Sequence, residues 1–188
     1  VLWVQFDEPA LGQDMGAEDM ALFRRIYDTV LPAAKKSRVL LQTYFGDARD
    51  VYLDLVAMPF AGLGLDFVEG KETRRLIEEH GFPSDKLLFA GLVNGKNVWR
   101  NRYQDTLECL GGLRDKGIQL VLSTSCSLLH VPYSLEQETG LSREQRSYLA
   151  FAREKLVELN ELGALADAGD CYEREAYRRN RELFARSR

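Results

Sequence analysis

Short apolar segments alternate with longer amphipathic segments along most of the chain. This alternation is typical of repeated β-α units, in which helices join the strands of a parallel sheet. The apolar segments that we predict to be strands are Leu2–Phe6, Val39–Tyr44, Gly62–Val68, Leu87–Val93 and Gln119–Ser123. The hydrophobic pattern therefore predicts an α/β fold with five parallel strands.

Helical spacing of apolar residues fills the segments between and after these strands. Gly81 and Gly117 stand where a left-handed residue ends a helix. Ser142 and Gln145 form the signature of a capping box, so a helix is predicted to begin there, and Gly163–Gly169 is predicted to be a break. The predicted helices are Ala17–Lys36, Val51–Met58, Lys71–His80, Asn101–Lys116, Ser142 to about Leu162, and Asp170 to about Arg186.

Two observations favour a barrel over an open doubly wound sheet. The glycine-rich phosphate loop that a dinucleotide-binding domain carries after its first strand is missing here. Polar side chains follow nearly every predicted strand, as they do at the mouth of a TIM barrel. They are Asp7, Glu8, Thr43, Asp47, Asp66, Glu69, Asn94, Asn97, Ser123, Ser125 and Cys126. A complete barrel has about 250 residues, so we predict an incomplete TIM (β/α)8 barrel comprising about the last five β-α units.

The predicted barrel segment and the tail divide the chain near residue 169. Residues 1–169 are expected to form the later part of a barrel, and residues 170–188 a charged C-terminal helix. Because the first predicted strand begins at Leu2, we expect the preceding strands of the barrel to be missing. Unpaired sheet edges at Leu2–Phe6 and Gln119–Ser123 would then favour association.

Composition narrows the class of protein. The net charge is −4, which argues against general nucleic-acid binding, and the arginines of the tail alternate with glutamates as in a solvated helix. No apolar run approaches the roughly 18 residues that a membrane span requires. Cys109, Cys126 and Cys171 show no CxxC pattern, so we predict reduced thiols in a cytoplasmic protein.

Six segments together resemble the N-terminal barrel of cobalamin-independent methionine synthase. They are WVQFDEPAL (3–11), LQTYFGD (41–47), GLGLDFVEGK (62–71), LFAGLVNGKNVWR (88–100), STSCSLLHVPYSL (123–135) and YLAFAREKL (148–156). The resemblance implies a two-barrel transferase that moves a methyl group from 5-methyltetrahydrofolate polyglutamate to homocysteine. It also implies that the missing first half-barrel and the C-terminal catalytic barrel are the partners of this segment, and that the tail leads towards the connection between the barrels.

The resemblance places the catalytic zinc in the other barrel. In the family, the C-terminal barrel holds zinc through a His-x-Cys pair, a glutamate and a later cysteine. Here Thr43-Tyr44-Phe45 stands in place of that pair, and Asp66 and Cys126 lie on the strands that correspond to the other two ligands. A zinc site needs three or four converging ligands. We therefore expect no cofactor and no catalytic residue in this segment, and no activity from it alone.

Five residues are candidates for substrate binding at the barrel mouth: Asp66, Lys96, Trp99, Arg100 and Ser125. Asp66 ends an alternating strand, where it would line the cavity or form a structural ion pair. Lys96 and Arg100 offer charge to a polyglutamate tail or to the partner barrel, and Trp99 offers an aromatic face. The alternative is a loop whose tryptophan packs on the rim and whose arginine binds a carboxylate. Ser125 lies in a hydroxyl-rich segment that could supply donors to an anion.

Other functions stay open at this stage. Asp7 and Glu8 suggest a barrel glycosidase, although neighbours on a strand point to opposite faces and glycosidases draw their facing acids from different strands. His130, in an apolar setting, is predicted to be a hydrogen-bonded core histidine rather than a general base. A second alternative is a stand-alone non-catalytic module that binds a pterin, an amino acid or a protein.

Overall fold

The computed structural model describes residues 1–185 and contains one five-stranded sheet. Its strands are β1 (Trp3–Asp7), β2 (Arg38–Gln42), β3 (Gly62–Asp66), β4 (Leu87–Val93) and β5 (Leu120–Thr124). The strands are parallel and lie in the order β1-β2-β3-β4-β5. Each overlaps a strand expected from the hydrophobic pattern, so the prediction of an α/β fold with five parallel strands is confirmed.

The helices of the described chain follow the strands in the expected alternation. The α-helices are α1 (Ala17–Ala33), α2 (Tyr52–Ala57), α3 (Thr73–His80), α4 (Tyr103–Asp115), α5 (Arg143–Ser147), α6 (Ala152–Asp167) and α7 (Glu175–Ala185). Short 3-10 helices span Pro9–Gly12, Leu128–His130, Leu135–Gln137 and Cys171–Glu173. None of the helices in residues 1–185 has the length and apolar character that crossing a membrane requires.

The predicted helix from Ser142 to about Leu162 is wrong, because the chain forms two helices there. The capping box at Ser142 is present, but α5 ends at Ser147. Tyr148 then lies in a turn, and Leu149 forms an isolated antiparallel bridge with Trp99 in the loop after β4. On either side of this bridge, Ala150 N donates to Val98 O at 2.8 Å and Arg100 N donates to Tyr148 O at 2.9 Å. This pairing across about fifty residues outweighs the local helical preference.

The end of the chain also differs from the prediction. The expected break at Gly163–Gly169 is wrong over its first part, because α6 continues through Gly163 to Asp167. The last helix begins at Glu175 rather than at Asp170, after a separate 3-10 turn. Arg186 and Arg188 of the predicted helix lie outside the described residues.

The described chain divides into two compact units, each with its own core. Unit 1 comprises Val1–Gly91 and Gly117–Val121, and unit 2 comprises Leu92–Lys116 and the residues from Leu122 onward. In unit 1, α1 buries Tyr27 against the sheet, where its ring meets Phe6 and Phe60 edge-on. In unit 2, α4, α6 and α7 share a core. Its buried residues are Val93, Tyr103, Leu107, Leu162, Leu165 and Tyr177.

The sheet of residues 1–185 has two ends. β1 pairs with β2 alone, and β5 stands last in the strand order next to β4. Val1 and Leu2, at the start of β1, are 99% and 84% exposed. Backbone groups on the outer side of an end strand are available to another strand.

Candidate functional site

Asp66 lies at the carboxyl end of β3 and is 1% exposed. Its Oδ1 accepts hydrogen bonds from the backbone N–H groups of Val68 (2.8 Å) and Glu69 (2.9 Å), and its Oδ2 accepts one from Phe45 (3.0 Å). Burial raises the pKa of the Asp66 carboxyl, and the three hydrogen bonds only partly offset this effect. Asp66 therefore joins the turn after β3 to the loop after β2 through backbone amides rather than through a basic side chain.

Asp47 organises the loop after β2. It is 5% exposed, and Arg49 donates to its two oxygens from Nε at 2.6 Å and from Nη2 at 2.9 Å. The backbone N–H of Glu72 adds a third bond at 3.2 Å. Burial disfavours ionisation of Asp47, but the hydrogen bonds and the charge of Arg49 outweigh it and lower the pKa of this carboxyl.

The two carboxylates at the end of β1, Asp7 and Glu8, do not form a facing pair. Glu8 Oε1 accepts the hydroxyl proton of Tyr27 at 2.6 Å, and burial together with Glu8 raises the pKa of that tyrosine far above its usual value. Asp7 is exposed and accepts a bond from Gln5 at 2.7 Å. A glycosidase needs two acids that are directed at substrate. Since Glu8, like Asp47 and Asp66, is bound to a protein donor, the glycosidase alternative has no support.

The residues at the predicted remnant of a zinc site do not fit the ion. Thr43, in place of the first expected ligand, donates from Oγ1 to the carbonyl of Gly64 at 2.9 Å. Both carboxylate oxygens of Asp66 are bound to backbone amides. Within residues 1–185, no group of three or more His, Cys, Asp and Glu side chains could hold a metal ion.

The loop of residues 94–100 follows β4 and is shaped by its two asparagines. Asn94 Oδ1 accepts bonds from the backbone N–H groups of Lys96 (2.8 Å) and Asn97 (2.9 Å), and Asn97 Oδ1 accepts one from Trp99 (3.1 Å). These local bonds replace a backbone turn. Lys96 is exposed, and Trp99 is 60% exposed. The loop therefore presents a cation and an aromatic ring to its surroundings.

Ser125 lies beneath this loop. It is buried, its backbone N–H donates to Val93 O at 2.8 Å, and its hydroxyl accepts a bond from the backbone N–H of Gly95 at 3.2 Å. A Cβ on Gly95 would stand 2.4 Å from the carbonyl oxygen of Cys126, so no other residue type fits without displacement. Ser125 and Gly95 together bring the loops after β5 and β4 into contact.

Arg100 points back into unit 2. Its Nε donates to the carbonyl of Ser147 at 2.9 Å, and its Nη2 donates to the carbonyl of Leu149 at 3.1 Å. Its Nη1 lies 3.8 Å from Glu158 Oε1. The sequence analysis gave as an alternative a loop whose arginine binds a carboxylate and whose tryptophan packs on the rim. Arg100 fits this alternative, but Trp99 does not, because its side chain is mostly exposed.

The sequence analysis did not predict Lys155 and Glu158, two charged residues of α6, as candidates. Both are fully buried. Lys155 contacts Trp99 in the loop of residues 94–100, and Glu158 contacts Asn101, the residue after that loop. A signal was present: at positions 155, 158, 162 and 165 they share one helical face with Leu162 and Leu165. Their charge made that face look solvent-exposed in the sequence.

A charged cleft of about 480 Å³ lies beside this region in unit 2. Glu161 joins its walls, because it accepts bonds from the hydroxyl of Tyr103 (2.5 Å) and from Nη2 of Arg179 (2.6 Å). Asn180 Oδ1 accepts the backbone N–H of Tyr103 at 3.0 Å. The cleft thus consists largely of internal ion pairs and hydrogen bonds that attach α7 to α4 and α6.

His130 does not occupy the predicted core position. It is exposed at the end of the 3-10 helix Leu128–His130, and Ser127 caps that helix by accepting a bond from the backbone N–H of Leu129 at 3.3 Å. The prediction of a core histidine is wrong because the apolar neighbours that suggested it are themselves not all buried: Leu129 is 91% exposed.

Comparison with known proteins identifies the family. The model of the cobalamin-independent synthase N-terminal domain matches residues 1–117, which is more than half of the chain. This chain belongs to that family. The matched range contains Asp66, Lys96, Trp99 and Arg100, whereas Ser125 lies after it.

Curated relatives extend the similarity beyond the matched domain. A 5-methyltetrahydropteroyltriglutamate–homocysteine methyltransferase of Lactococcus lactis subsp. cremoris is 52% identical over 163 residues, which cover 87% of this chain and 21% of that protein. The methyltransferase of the same name from Campylobacter jejuni subsp. jejuni is 46% identical over 184 residues, covering 98% of this chain and 24% of the relative. The chain therefore spans about a fifth to a quarter of the length of such relatives.

Proposed function

We propose that the chain is the later part of the N-terminal barrel of a methionine synthase that transfers a methyl group from 5-methyltetrahydrofolate polyglutamate to homocysteine. The observation that carries this proposal is the similarity of nearly the whole chain to relatives that bear this activity in their names. The five parallel strands would be the last five β-α units of an incomplete TIM barrel. Residues 1–169 would belong to the barrel, and residues 170–188 would lead towards the second barrel.

The role that we assign to this segment is structural rather than catalytic. Its polar side chains at the strand ends are largely engaged within the chain, as Asp47 is by Arg49 and Asp66 is by three backbone amides. The donors near Thr43 do not fit zinc. We therefore place the catalytic zinc, and with it the activation of homocysteine, in the C-terminal barrel of the longer protein, and we expect this segment alone to be inactive.

Among the candidate mouth residues, Lys96 and Trp99 are the ones that we assign to ligand contact. Both are exposed on the loop of residues 94–100, and an ammonium group attracts the carboxylates of a polyglutamate tail. The other three candidates, Asp66, Arg100 and Ser125, are bound to backbone groups and would hold the loops in place. The facing surface of the C-terminal barrel is the second partner that this loop would meet.

A segment replacement tests the proposal. The matching segment of the Campylobacter jejuni methyltransferase is exchanged for this chain, and methyl transfer to homocysteine is measured for the chimera and for this chain alone. We expect activity from the chimera and none from the isolated chain. Activity of the isolated chain would refute the non-catalytic role, and a folded chimera without activity would refute the assignment to this enzyme.

The same chimera tests the two mouth residues. Lys96→Gln should raise KM for a triglutamate substrate several-fold more than KM for the monoglutamate, because only the former carries the extra carboxylates. Lys116→Gln, at the exposed end of α4, removes the same charge elsewhere and should leave both KM values unchanged. Equal effects of the two variants would contradict a role for Lys96 at the polyglutamate tail.

The alternative of a stand-alone binding module predicts a different gene and a different assembly. A reading frame that encodes only this domain would favour it, whereas upstream half-barrel and downstream His-x-Cys barrel sequences would exclude it.

We also propose a cytoplasmic protein and association of the isolated chain through the outer edges of β1 and β5. A monomer in light scattering at all concentrations would contradict that association.

A further inference from the structure

Lys155 and Glu158 are buried charges that hydrophobic packing alone does not explain. Each is 0% exposed, on the face of α6 that also buries Leu162 and Leu165. Burying an ionised group is strongly unfavourable unless other groups compensate for its lost hydration. Burial lowers the pKa of Lys155 and raises the pKa of Glu158, as expected for groups that have left water.

Both side chains bind the same short stretch of backbone. Lys155 Nζ donates to the carbonyl of Trp99 at 3.1 Å, and Glu158 Oε1 accepts the backbone N–H of Asn101 at 3.0 Å. Arg100 lies between these two positions, with its Nη1 3.8 Å from Glu158 Oε1. Three consecutive residues are thus attached to α6 by charged side chains.

We propose that Lys155 and Glu158 are positioning residues that hold the loop of residues 94–100 from inside, so that Lys96 and Trp99 stay directed outward. The asparagine turns of this loop fix its local shape only, because Asn94 and Asn97 bond to residues two or three positions away. The anchors on α6 fix that shape relative to the rest of unit 2. This inference goes beyond the proposed function, since the order of the loop is independent of what the loop binds.

The chemistry of the anchors explains why charged residues occupy these positions. A leucine at position 155 could not donate to the carbonyl of Trp99, and a leucine at 158 could not accept from Asn101. The second oxygen of Glu158, Oε2, is also buried and has no hydrogen-bond partner within residues 1–185. An unsatisfied buried oxygen is unfavourable for stability. Its presence points to a demand for position rather than for stability.

A fluorescence experiment tests Lys155 in the full chain. A Trp3→Phe background leaves Trp99 as the one indole reporter, and its accessibility is measured by acrylamide quenching. Trp99 is already 60% exposed, so in Lys155→Met its quenching constant should rise, but by less than twofold. Arg153→Met is the matched control, because Arg153 lies on the same helix but is exposed and pairs with Glu136. It should leave the quenching constant unchanged.

The stability of the same variants sets the conditions of the quenching measurement. Lys155→Met removes the donor to the carbonyl of Trp99 and a cation near the buried Glu158, so its unfolding midpoint should fall. Quenching is therefore measured well below that midpoint, where the folded chain predominates and increased access to Trp99 reports the position of the loop. Unchanged quenching in folded Lys155→Met, or equal quenching in the Lys155 and Arg153 variants, would overturn the proposal for Lys155.

Amide hydrogen exchange tests Glu158 separately. Glu158→Gln keeps an acceptor for the backbone N–H of Asn101 and should preserve its exchange rate, whereas Glu158→Leu removes the acceptor and should accelerate exchange about tenfold. Exchange of amides in the middle of α6 reports whether each variant is folded. If the Asn101 amide exchanges at the same rate in the Gln and Leu variants, the proposal is overturned. This test does not depend on whether Lys155→Met folds.

Discussion

Removal of the Asp66 carboxylate should destabilise unit 1 more than the loss of any exposed acid. In Asp66→Ala the backbone N–H groups of Phe45, Val68 and Glu69 lose their acceptor. A buried donor without a partner costs about 1–3 kcal/mol. Because these three donors are only partly buried, water compensates in part, and we expect a loss of roughly 3–5 kcal/mol in the free energy of unfolding. This is a large fraction of the roughly 5–15 kcal/mol that stabilises a typical domain.

The conservative variant separates the three bonds. In Asp66→Asn the amide oxygen replaces Oδ1 and keeps the bonds from Val68 and Glu69, while the amide nitrogen faces the N–H of Phe45. One bond of three is lost, so the expected destabilisation is about 1–2 kcal/mol. Phe45 has a positive φ of 68°, which is unfavourable for a residue with a side chain. Loss of this bond should therefore loosen the loop at Phe45 first.

Urea unfolding followed by the fluorescence of Trp3 provides the assay. Trp3 lies in unit 1, and Trp99→Phe removes the second indole. Asp7→Ala is the matched control: Asp7 also ends a strand, but it is exposed and its carboxylate accepts a bond from the side chain of Gln5, so about 0.5 kcal/mol or less is expected. Equal losses for Asp66→Ala and Asp7→Ala, or for Asp66→Asn and Asp66→Ala, would refute the reasoning.

Three further outcomes follow from the geometry. The folded-state pKa of Asp47 is lowered, so its stabilising contribution is present above its usual pKa of 3.8 and is lost as the pH falls below it. Acid titration of Arg49→Met, compared with the parent chain, should show a smaller loss. Gly95→Ala should cost about 1–3 kcal/mol in urea unfolding because its Cβ would meet a carbonyl oxygen at 2.4 Å. Gly111→Ala, in α4 with open space around the added Cβ, should instead gain about 0.5–1 kcal/mol. The folded-state pKa of Glu158 is raised, so stability should fall as the pH rises from 4.5 through that raised pKa. Glu158→Gln should abolish this slope, and an unchanged slope would show that another group titrates.

Local patterns predicted the elements that depend on local contacts. Each strand was found because a buried parallel strand must be a continuous apolar run. The capping box at Ser142 was found because its bonds join residues three positions apart. The end of the following helix was missed because Tyr148 and Ala150 pair with residues about fifty positions earlier. No periodicity near position 148 reports a partner at position 98.

In the candidate site, too, some features were predicted by local patterns and others were decided by contacts between distant residues. Polar residues at the strand ends were predicted from the order of strands, because parallel strands end at one edge of the sheet. Their roles were not predictable, since the binding of Asp66 to three amides depends on where two separate loops come to lie. Lys155 and Glu158 were missed because a charged pair three residues apart on a helix is usually a solvated pair.

Composition and order of residues were sufficient for the α/β class, the five parallel strands and the resemblance to the cobalamin-independent synthase family, because these depend on patterns that the chain carries locally. Burial is different, since a side chain becomes buried only when another element covers it. Packing of α6 in unit 2 buried Lys155 and Glu158, and packing of two loops enclosed Asp66. Removal from water changed what those charged groups do: they bind backbone and hold loops in place.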